Sequence, residues 1–284
     1  MYEKHFGFRS RPFRSTPDGA RYYPSTGHEQ ALDSLRHGLA DQEGLALLTG
    51  EPGMGKTLLC HCLLEREGGG RRSAFLTHSH LSDRLAVLQA LAYELGLPHA
   101  GVAEQTLRLA VTDHLLTHCA EGHSTLLFVD EAQHLGMDAL EELRLLANLE
   151  SGQERALQIV LAGHPTIHQT LAQPMLASLR QRLAVRPHLE PLGDEESADY
   201  LLHHLRQVTD RPEKVMTAEA LELLARGARG VPRLLSQAGH RALMLACAGG
   251  SSCVDAEAAI EALSALGLEC EPQGDELEST REAA

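Results

Sequence analysis

The sequence feature that most constrains the fold is the segment LALLTGEPGMGKTLLCHCLLE at residues 45–65. An apolar run reaches a turn that contains Gly50, Gly53 and Gly55, and a stretch of helical length follows directly. Glycine loses more conformational freedom on folding than other residues, so these glycines between two core elements indicate a loop that needs bare backbone. The segment matches G-x-x-x-x-G-K-[ST] in the strand–loop–helix setting that this motif requires. It predicts a buried strand, a phosphate-binding loop and a helix in succession.

Apolar strands alternate with helical patterns throughout residues 44–193. Strands that are apolar on both faces favour a parallel sheet with helices on both sides. The sequence therefore predicts an α/β nucleotide-binding domain, built as a parallel-sheet sandwich, over this range. The predicted strands cover residues 45–49, 73–78, 124–130, 156–163 and 184–192, and the predicted helices cover 56–67, 82–96, 104–122, 137–150 and 165–183, the last interrupted at Pro174.

The flanking segments have a different character. Residues 1–43 begin with loop-like text, become helical from about Glu29, and are expected to pack on the α/β core. Four helical patterns fill residues 194–268 and predict a small helical lid domain. Residues 269–284 carry six carboxylates against Arg281 and are expected to form an acidic, disordered tail.

Composition and charge weigh against several classes of protein. The formal net charge of −14 argues against a broad basic surface, so nucleic acid is an alternative partner that the charge does not favour. The six cysteines show no C-x-x-C pair, which indicates a reduced compartment. We find no signal peptide and no stretch of about 20 apolar residues that could span a membrane. These features predict a cytoplasmic chain, with a peripheral position at the inner membrane as an alternative.

The glycine-rich loop predicts the residues that bind a nucleotide triphosphate. Backbone N–H groups of such a loop point at phosphate oxygens, and the following helix adds its positive end. Lys56 is expected to reach the β- and γ-phosphates, and the Thr57 hydroxyl is expected to bind Mg²⁺. The predicted nucleotide-binding loop comprises Gly50, Glu51, Pro52, Gly53, Met54, Gly55, Lys56, Thr57 and Leu58.

The segment LLFVDEAQHL supplies the expected acidic partner of this loop. An apolar strand ends in Asp130 and Glu131, and two carboxylates at a strand end are costly without a cation or a chemical role. Asp130 is predicted to hold Mg²⁺, and Glu131 is predicted to be the general base that activates water. The predicted cofactors are therefore ATP and Mg²⁺.

These motifs, their order and the helical C-terminal part resemble the AAA+ ATPases. More narrowly, the segments MYEKHFGFRSRPFRSTPD, GLALLTGEPGMGKT, LLFVDEAQHL, QIVLAGHP and GVPRLL are similar to the ATPase part of the general secretion pathway protein A (ExeA-like) family, which is related to ATPases of transposons. The resemblance covers about residues 1–267. It implies an AAA+ fold and ATP hydrolysis coupled to assembly of the chain with copies of itself into a ring or filament.

The resemblance also implies roles for residues outside the two motifs. His164 stands where the family places a residue that senses the γ-phosphate. Arg182, or Arg180 as second choice, stands where the family carries an arginine finger that acts on the nucleotide of a neighbouring subunit. Arg233 in GVPRLL stands where the helical lid carries a second sensor arginine.

Three functions stay open at this point. The first is an ATPase of secretion or cell-envelope assembly that acts on an unidentified protein partner. A membrane-bound partner is one alternative, because the related secretion ATPases continue into a membrane helix that is not found in residues 1–284. The second is an ATP-dependent, DNA-binding regulator of transposition. For this second function, the candidate DNA contacts are Arg9, Arg11, Arg14, Arg71 and Arg72. The third is a P-loop kinase. The pair Asp130 and Glu131 argues against a kinase, because it favours water as the acceptor of the phosphoryl group.

Histidine and cysteine pairs such as CHC at residues 60–62, HSH at 78–80 and HH at 203–204 lack the spacing of a zinc site, so no structural zinc is predicted.

Overall fold

The structure is a computed structural model that describes residues 2–14, 16, 18–67, 71–77 and 81–268. The predicted tail at 269–284 and the HSH segment lie outside the described residues. The chain divides into two compact units, one of residues 17–190 and one of residues 1–16 together with 191–284.

A parallel sheet forms the centre of the unit at residues 17–190. Its strands lie in the order β2-β3-β6-β1-β7, and β8 also pairs with β1. Beside this sheet, two short antiparallel strands, β4 and β5, form a hairpin that the sequence did not predict. The strands are β1 (Leu45–Gly50), β2 (Arg72–Leu76), β3 (Thr125–Val129), β4 (Glu150–Ser151), β5 (Glu154–Arg155), β6 (Leu157–Gly163), β7 (Leu183–Val185) and β8 (His188–Leu189).

Every residue of β1, β3 and β6 is buried, as a sheet covered on both faces requires. One face, with Leu47, Leu127 and Ile159, packs on the helices α4 to α6. On the opposite face, α2 and α3 contact β1. The helices of this unit are α2 (Thr26–Ala40), α3 (Lys56–Glu67), α4 (Arg84–Glu94), α5 (Glu104–Ala120), α6 (Met137–Leu146), α7 (Ile167–Leu171) and α8 (Ala177–Arg182).

The register of the central strands brings their carboxyl ends to one edge of the sheet. Thr49 of β1 pairs with Gly163 of β6, and Val129 of β3 pairs with Leu161. The turns that follow these strands therefore meet at this edge, which is where ligands bind in open α/β sheets.

The predicted α/β fold class is confirmed, and two differences from the predicted elements lie at prolines. The last predicted strand, 184–192, is two short strands separated at Pro187, which has no N–H to give to a ladder. The long predicted helix at 165–183 is divided at Pro174 into α7, a short 3₁₀ turn and α8.

The described part of the second unit contains the helices α9 (Asp194–Arg206), α10 (Ala218–Gly227), α11 (Pro232–Ala248) and α12 (Ala256–Ser264). The N-terminal residues, including α1 (Tyr2–His5), also belong to this unit. Residues 2–14 thus group with the helical unit, and the packing of residues 1–43 on the ATPase core stays a prediction.

The physical reason lies in the aromatic side chains of this N-terminal segment. The ring of Phe13 is 2% exposed and lies against Gly239 of α11, where a Cβ atom would come within 2.8 Å of it. The Tyr2 hydroxyl lies 2.9 Å from His240 Nδ1 on the same helix. Burying such rings contributes about 1.5–3 kcal/mol each, so they fix the segment to the helices.

Among the described residues, no helix is both long and apolar enough to cross a membrane.

We predict that Gly230→Ala destabilises the helical unit by about 2–4 kcal/mol. Gly230 has φ +70°, and a Cβ atom there would lie 2.1 Å from the carbonyl oxygen of Leu192. Gly250 is a matched control because it has the same φ of +70° with nothing within 4 Å of the added carbon. The free energy of unfolding of both variants is measured by thermal unfolding, and we expect Gly250→Ala to lower it by only about 1 kcal/mol. Equal losses would contradict the steric account.

Candidate active site

The glycine loop joins the end of β1 to the start of α3. Gly53 and Gly55 have φ values of +87° and +88°, which side chains other than glycine rarely adopt. A Cβ atom on Gly50 would lie 3.1 Å from Leu189 of the neighbouring strand β8. The glycines therefore permit a tight loop at the N-terminus of a helix of 12 residues, and this arrangement favours anions.

The Lys56 side chain closes this loop. It is 7% exposed, and its ammonium donates to the carbonyl oxygens of Gly50 at 2.7 Å and Glu51 at 3.1 Å. A buried ammonium requires such partners, since an unpaired one is strongly destabilising. The lysine thereby holds its positive charge at the mouth of the loop.

Thr57 and Asp130 come together from two different elements, the first turn of α3 and the turn after β3. The Thr57 hydroxyl donates to Asp130 Oδ2 at 2.5 Å. The backbone N–H of Asp130 donates to the carbonyl oxygen of Leu76 on β2 at 3.0 Å, which fixes the turn after β3. A hydroxyl and a carboxylate side by side fit Mg²⁺, which prefers oxygen ligands and keeps several waters. These two residues could therefore hold the predicted cation.

Glu131 has a left-handed backbone, with φ 51° and ψ 39°. This conformation costs a non-glycine residue about 1–3 kcal/mol and needs local support. Its N–H donates to Asp130 Oδ1 at 2.9 Å, and its Oε2 accepts from Gln133 Nε2 at 2.6 Å. The carboxylate is exposed, as a base that meets water must be.

His164 follows the last residue of β6 and contacts the glycine loop. The backbone N–H of Thr166 donates to its Nδ1 at 3.2 Å, so Nδ1 is an acceptor and Nε2 carries the proton. Nε2 donates to Glu51 Oε2 at 3.0 Å. The structure thus brings this predicted sensor beside the second residue of the loop.

The three predicted arginines lie on two helices, α8 of the α/β unit and α11 of the helical unit. Arg182 is the last residue of α8 and donates to Asn148 Oδ1. The backbone carbonyl of Arg180 accepts from Arg186. Arg233 lies exposed in the first turn of α11, in the helical unit. Their roles stay predictions.

His28 is a residue of this site that sequence reasoning missed. It is 7% exposed, and its Nε2 lies 2.8 Å from the carbonyl oxygen of Met54 in the loop. A carbonyl only accepts, so Nε2 carries the proton, and in the neutral ring Nδ1 accepts from the Ser25 hydroxyl at 2.6 Å. Ser25 is also the N-cap of α2. The signal that could have found it is a cap serine with histidine three positions later.

Gln133 is the second missed residue, because its amide contacts both Glu131 and the N–H of His164. The sequence signal was its place two residues after the predicted base.

The cysteines of α3 are packing residues. Burial raises the pKa of the Cys60 thiol far above its ordinary value and that of Cys62 to about 11. Protonated thiols are poor nucleophiles and poor metal ligands. Between them, the ring of His61 stacks on Phe75 with centroids 4.7 Å apart.

Comparison with solved structures gives the class of this fold. The ORC2 protein of Aeropyrum pernix, in a structure of its ADPNP-ADP complexes, superposes with a TM-score of 0.70 at 18% identity, over 90% of this chain and 72% of that one. This likeness shows an AAA+ P-loop fold with a helical C-terminal region.

Sequence comparison gives the family. Residues 39–171 match the AAA domain family, and the α/β unit thus belongs to the AAA+ proteins. The chain is 40% identical over 252 residues, 88% of its length, to general secretion pathway protein A of Aeromonas hydrophila. It is 30% identical over 55% of its length to ATP-dependent target DNA activator B of Escherichia phage Mu. The chain spans about half the length of these two relatives, 46% in each case.

We predict that His28→Ala weakens binding of ATP, the ligand that the loop motif predicts, about tenfold. The change removes a buried hydrogen bond that anchors the loop, worth about 1–3 kcal/mol, and about 1.4 kcal/mol corresponds to a factor of ten in affinity. Titration with a fluorescent ATP analogue measures it. His37→Ala is the control because His37 is exposed on the same helix. An unchanged dissociation constant in His28→Ala would contradict the anchoring role.

Proposed function

We propose that this chain hydrolyses ATP with Mg²⁺ and couples the reaction to assembly with copies of itself or to remodelling of a protein partner. The observation that carries the proposal is the 2.5 Å contact between Thr57 and Asp130 beside the closed glycine loop. A phosphate-binding loop and a magnesium-binding carboxylate at one sheet edge are the two parts that phosphoryl transfer from ATP requires.

In the proposed reaction, the loop N–H groups and Lys56 hold the β- and γ-phosphates. Thr57 and Asp130 would hold Mg²⁺, and the bound ion would supply positive charge beside the phosphate oxygens. Glu131 accepts a proton from water, and the water oxygen attacks the γ-phosphorus. The bond from this phosphorus to the bridging oxygen breaks, and the products are ADP and inorganic phosphate.

The second part of the proposal concerns His164, Arg182 and Arg233. The contact between His164 and Glu51 supports a sensor role, because it ties the end of β6 to the phosphate loop. The exposed guanidinium of Arg182 supports action on the nucleotide of a neighbouring copy, where an arginine spreads positive charge over the transferring group. We assign Arg233 to sensing from the helical unit on the family resemblance alone.

The proposed biological role is in secretion or cell-envelope assembly. Its support is the 40% identity to general secretion pathway protein A over 88% of this chain. The proposed partners are copies of the chain and a further protein of the envelope, and the proposed location is the cytoplasm or the periphery of the inner membrane.

A DNA-dependent role in transposition is the second candidate, favoured by the similarity to target DNA activator B of phage Mu. The candidate basic residues give it limited support. Arg9 pairs with Asp210 at 3.2 Å, and Arg71 pairs with Glu67 at 3.8 Å. Such pairs reduce the charge available for phosphates.

The DNA-dependent role is tested by phosphate release with and without duplex DNA. If the secretion role is correct, DNA leaves the rate unchanged within about twofold. Stimulation that fades as salt rises, as binding to phosphates must, would favour transposition instead.

We predict that the specific rate of phosphate release rises with protein concentration and falls at least about 100-fold in Arg182→Ala, since an arginine finger contributes about 10³–10⁵ in rate. ATP still binds in this variant. Arg206→Ala is the matched control, because Arg206 is also exposed at the last residue of a helix. Glu131→Gln supplies the inactive reference.

A rate that is independent of concentration and unaffected by Arg182→Ala would contradict assembly through Arg182. Phosphate release without an added acceptor separates hydrolysis from kinase activity.

A further inference from the structure

We infer that Gln133 is a positioning residue that couples the end of β6 to Glu131, and so makes the proposed base responsive to the state of the phosphate loop. The inference rests on the proposed ATP hydrolysis and extends it, because the motifs assign no role to this side chain.

The orientation of the Gln133 amide follows from its two partners. Its Nε2 lies 2.6 Å from Glu131 Oε2, and a carboxylate oxygen can only accept from the amide nitrogen. Its Oε1 lies 2.8 Å from the backbone nitrogen of His164, whose N–H can only donate. A flipped amide would face like groups on both sides. One planar group therefore joins the two segments in a single orientation.

Gly163 makes room for this amide. A Cβ atom at position 163 would lie 2.8 Å from Gln133 Oε1 and 3.3 Å from the backbone nitrogen of Gln133. The φ angle of Gly163 is not positive, so no unusual backbone conformation explains the glycine. The close approach of the 132–133 turn explains it.

The Gln133 contact orients the Glu131 carboxylate. The residue's left-handed backbone is held by its own N–H on Asp130 Oδ1, which fixes the main chain but not the carboxylate. The hydrogen bond from Gln133 restricts that side chain. Reaction rates depend steeply on such positioning, since a 1 Å displacement can cost about 10²-fold.

A continuous set of contacts links the loop to the base through this amide. Glu51 of the loop accepts from the ring of His164 at 3.0 Å, and the N–H of the same histidine donates to Gln133. A phosphate that draws His164 or Glu51 into a new contact acts on the end of β6, and Gln133 transmits that change to Glu131.

The test uses Gln133→Glu in the full chain. The new side chain has the same shape and still accepts from His164, but it cannot donate to Glu131 and repels it. We expect the kcat for phosphate release to fall about 10–100-fold. The KM and the dissociation constant of an ATP analogue should change by less than about twofold, since the two hydrogen bonds of the Gln133 amide go to Glu131 and His164 rather than to the loop.

Two further variants keep the inference testable if Gln133→Glu folds poorly. Gln133→Met removes both hydrogen bonds without adding charge, and Gly163→Ala displaces the amide. Both should lower kcat with ATP binding retained. Gln169→Glu is the charge control because Gln169 is exposed on α7.

The outcomes separate the two proposals. If the wild-type chain releases no phosphate, the proposed function fails and this inference fails with it. If Glu131→Gln abolishes hydrolysis while Gln133→Glu and Gln133→Met leave kcat unchanged, only the inference fails. Equal losses of kcat in Gln133→Glu and Gln169→Glu would also overturn it, because the effect would then be one of charge.

Discussion

The site depends on one hydrogen bond, from the Thr57 hydroxyl to Asp130, which joins residues 73 positions apart in sequence. Neither residue's own segment can form this contact alone. Strand β6 lies between β1 and β3, and its Leu161 pairs with Leu47 on one side and with Val129 on the other. Because a shift of one residue reverses every side chain in a strand, the buried apolar faces fix this register. The packing of the sheet therefore sets the distance between the loop and the carboxylate.

The parts of the fold that the sequence predicted are those with local causes. A glycine loop between a strand and a helix, and an apolar strand that ends in Asp130, are each set within about ten residues, and the structure brings Lys56, Thr57 and Asp130 to one edge as the pattern indicated. His28 and Gln133 could not be found in this way. Their importance lies in contacts with Met54 and His164, and those contacts exist only once the sheet has formed.

The N-terminal segment shows the same limit for packing. Tyr2, Phe8 and Phe13 are buried aromatic residues in a segment with little helical or strand pattern. The periodicity of the sequence therefore could not predict which element their rings pack against. The small residue Gly239 on α11 provides that surface for Phe13, since a larger side chain would collide with its ring. A glycine within a helix ordinarily weakens it by about 1 kcal/mol. Here that loss accompanies the burial of an aromatic side chain, which stabilises the unit by more than the glycine weakens it.

The polar groups around the loop hold one another in the structure. Lys56 donates to the carbonyl oxygens of Gly50 and Glu51, and the Glu51 side chain accepts from His164. A phosphate that enters this loop exchanges some of these hydrogen bonds for its own. Since charged hydrogen bonds are each worth about 1.5–3 kcal/mol net, such an exchange returns only part of the gross interaction energy as affinity. The Glu51 side chain is also the link from the loop to the end of β6, because His164 directly follows Gly163. A ligand that displaces this side chain must therefore break its hydrogen bond with His164 as well.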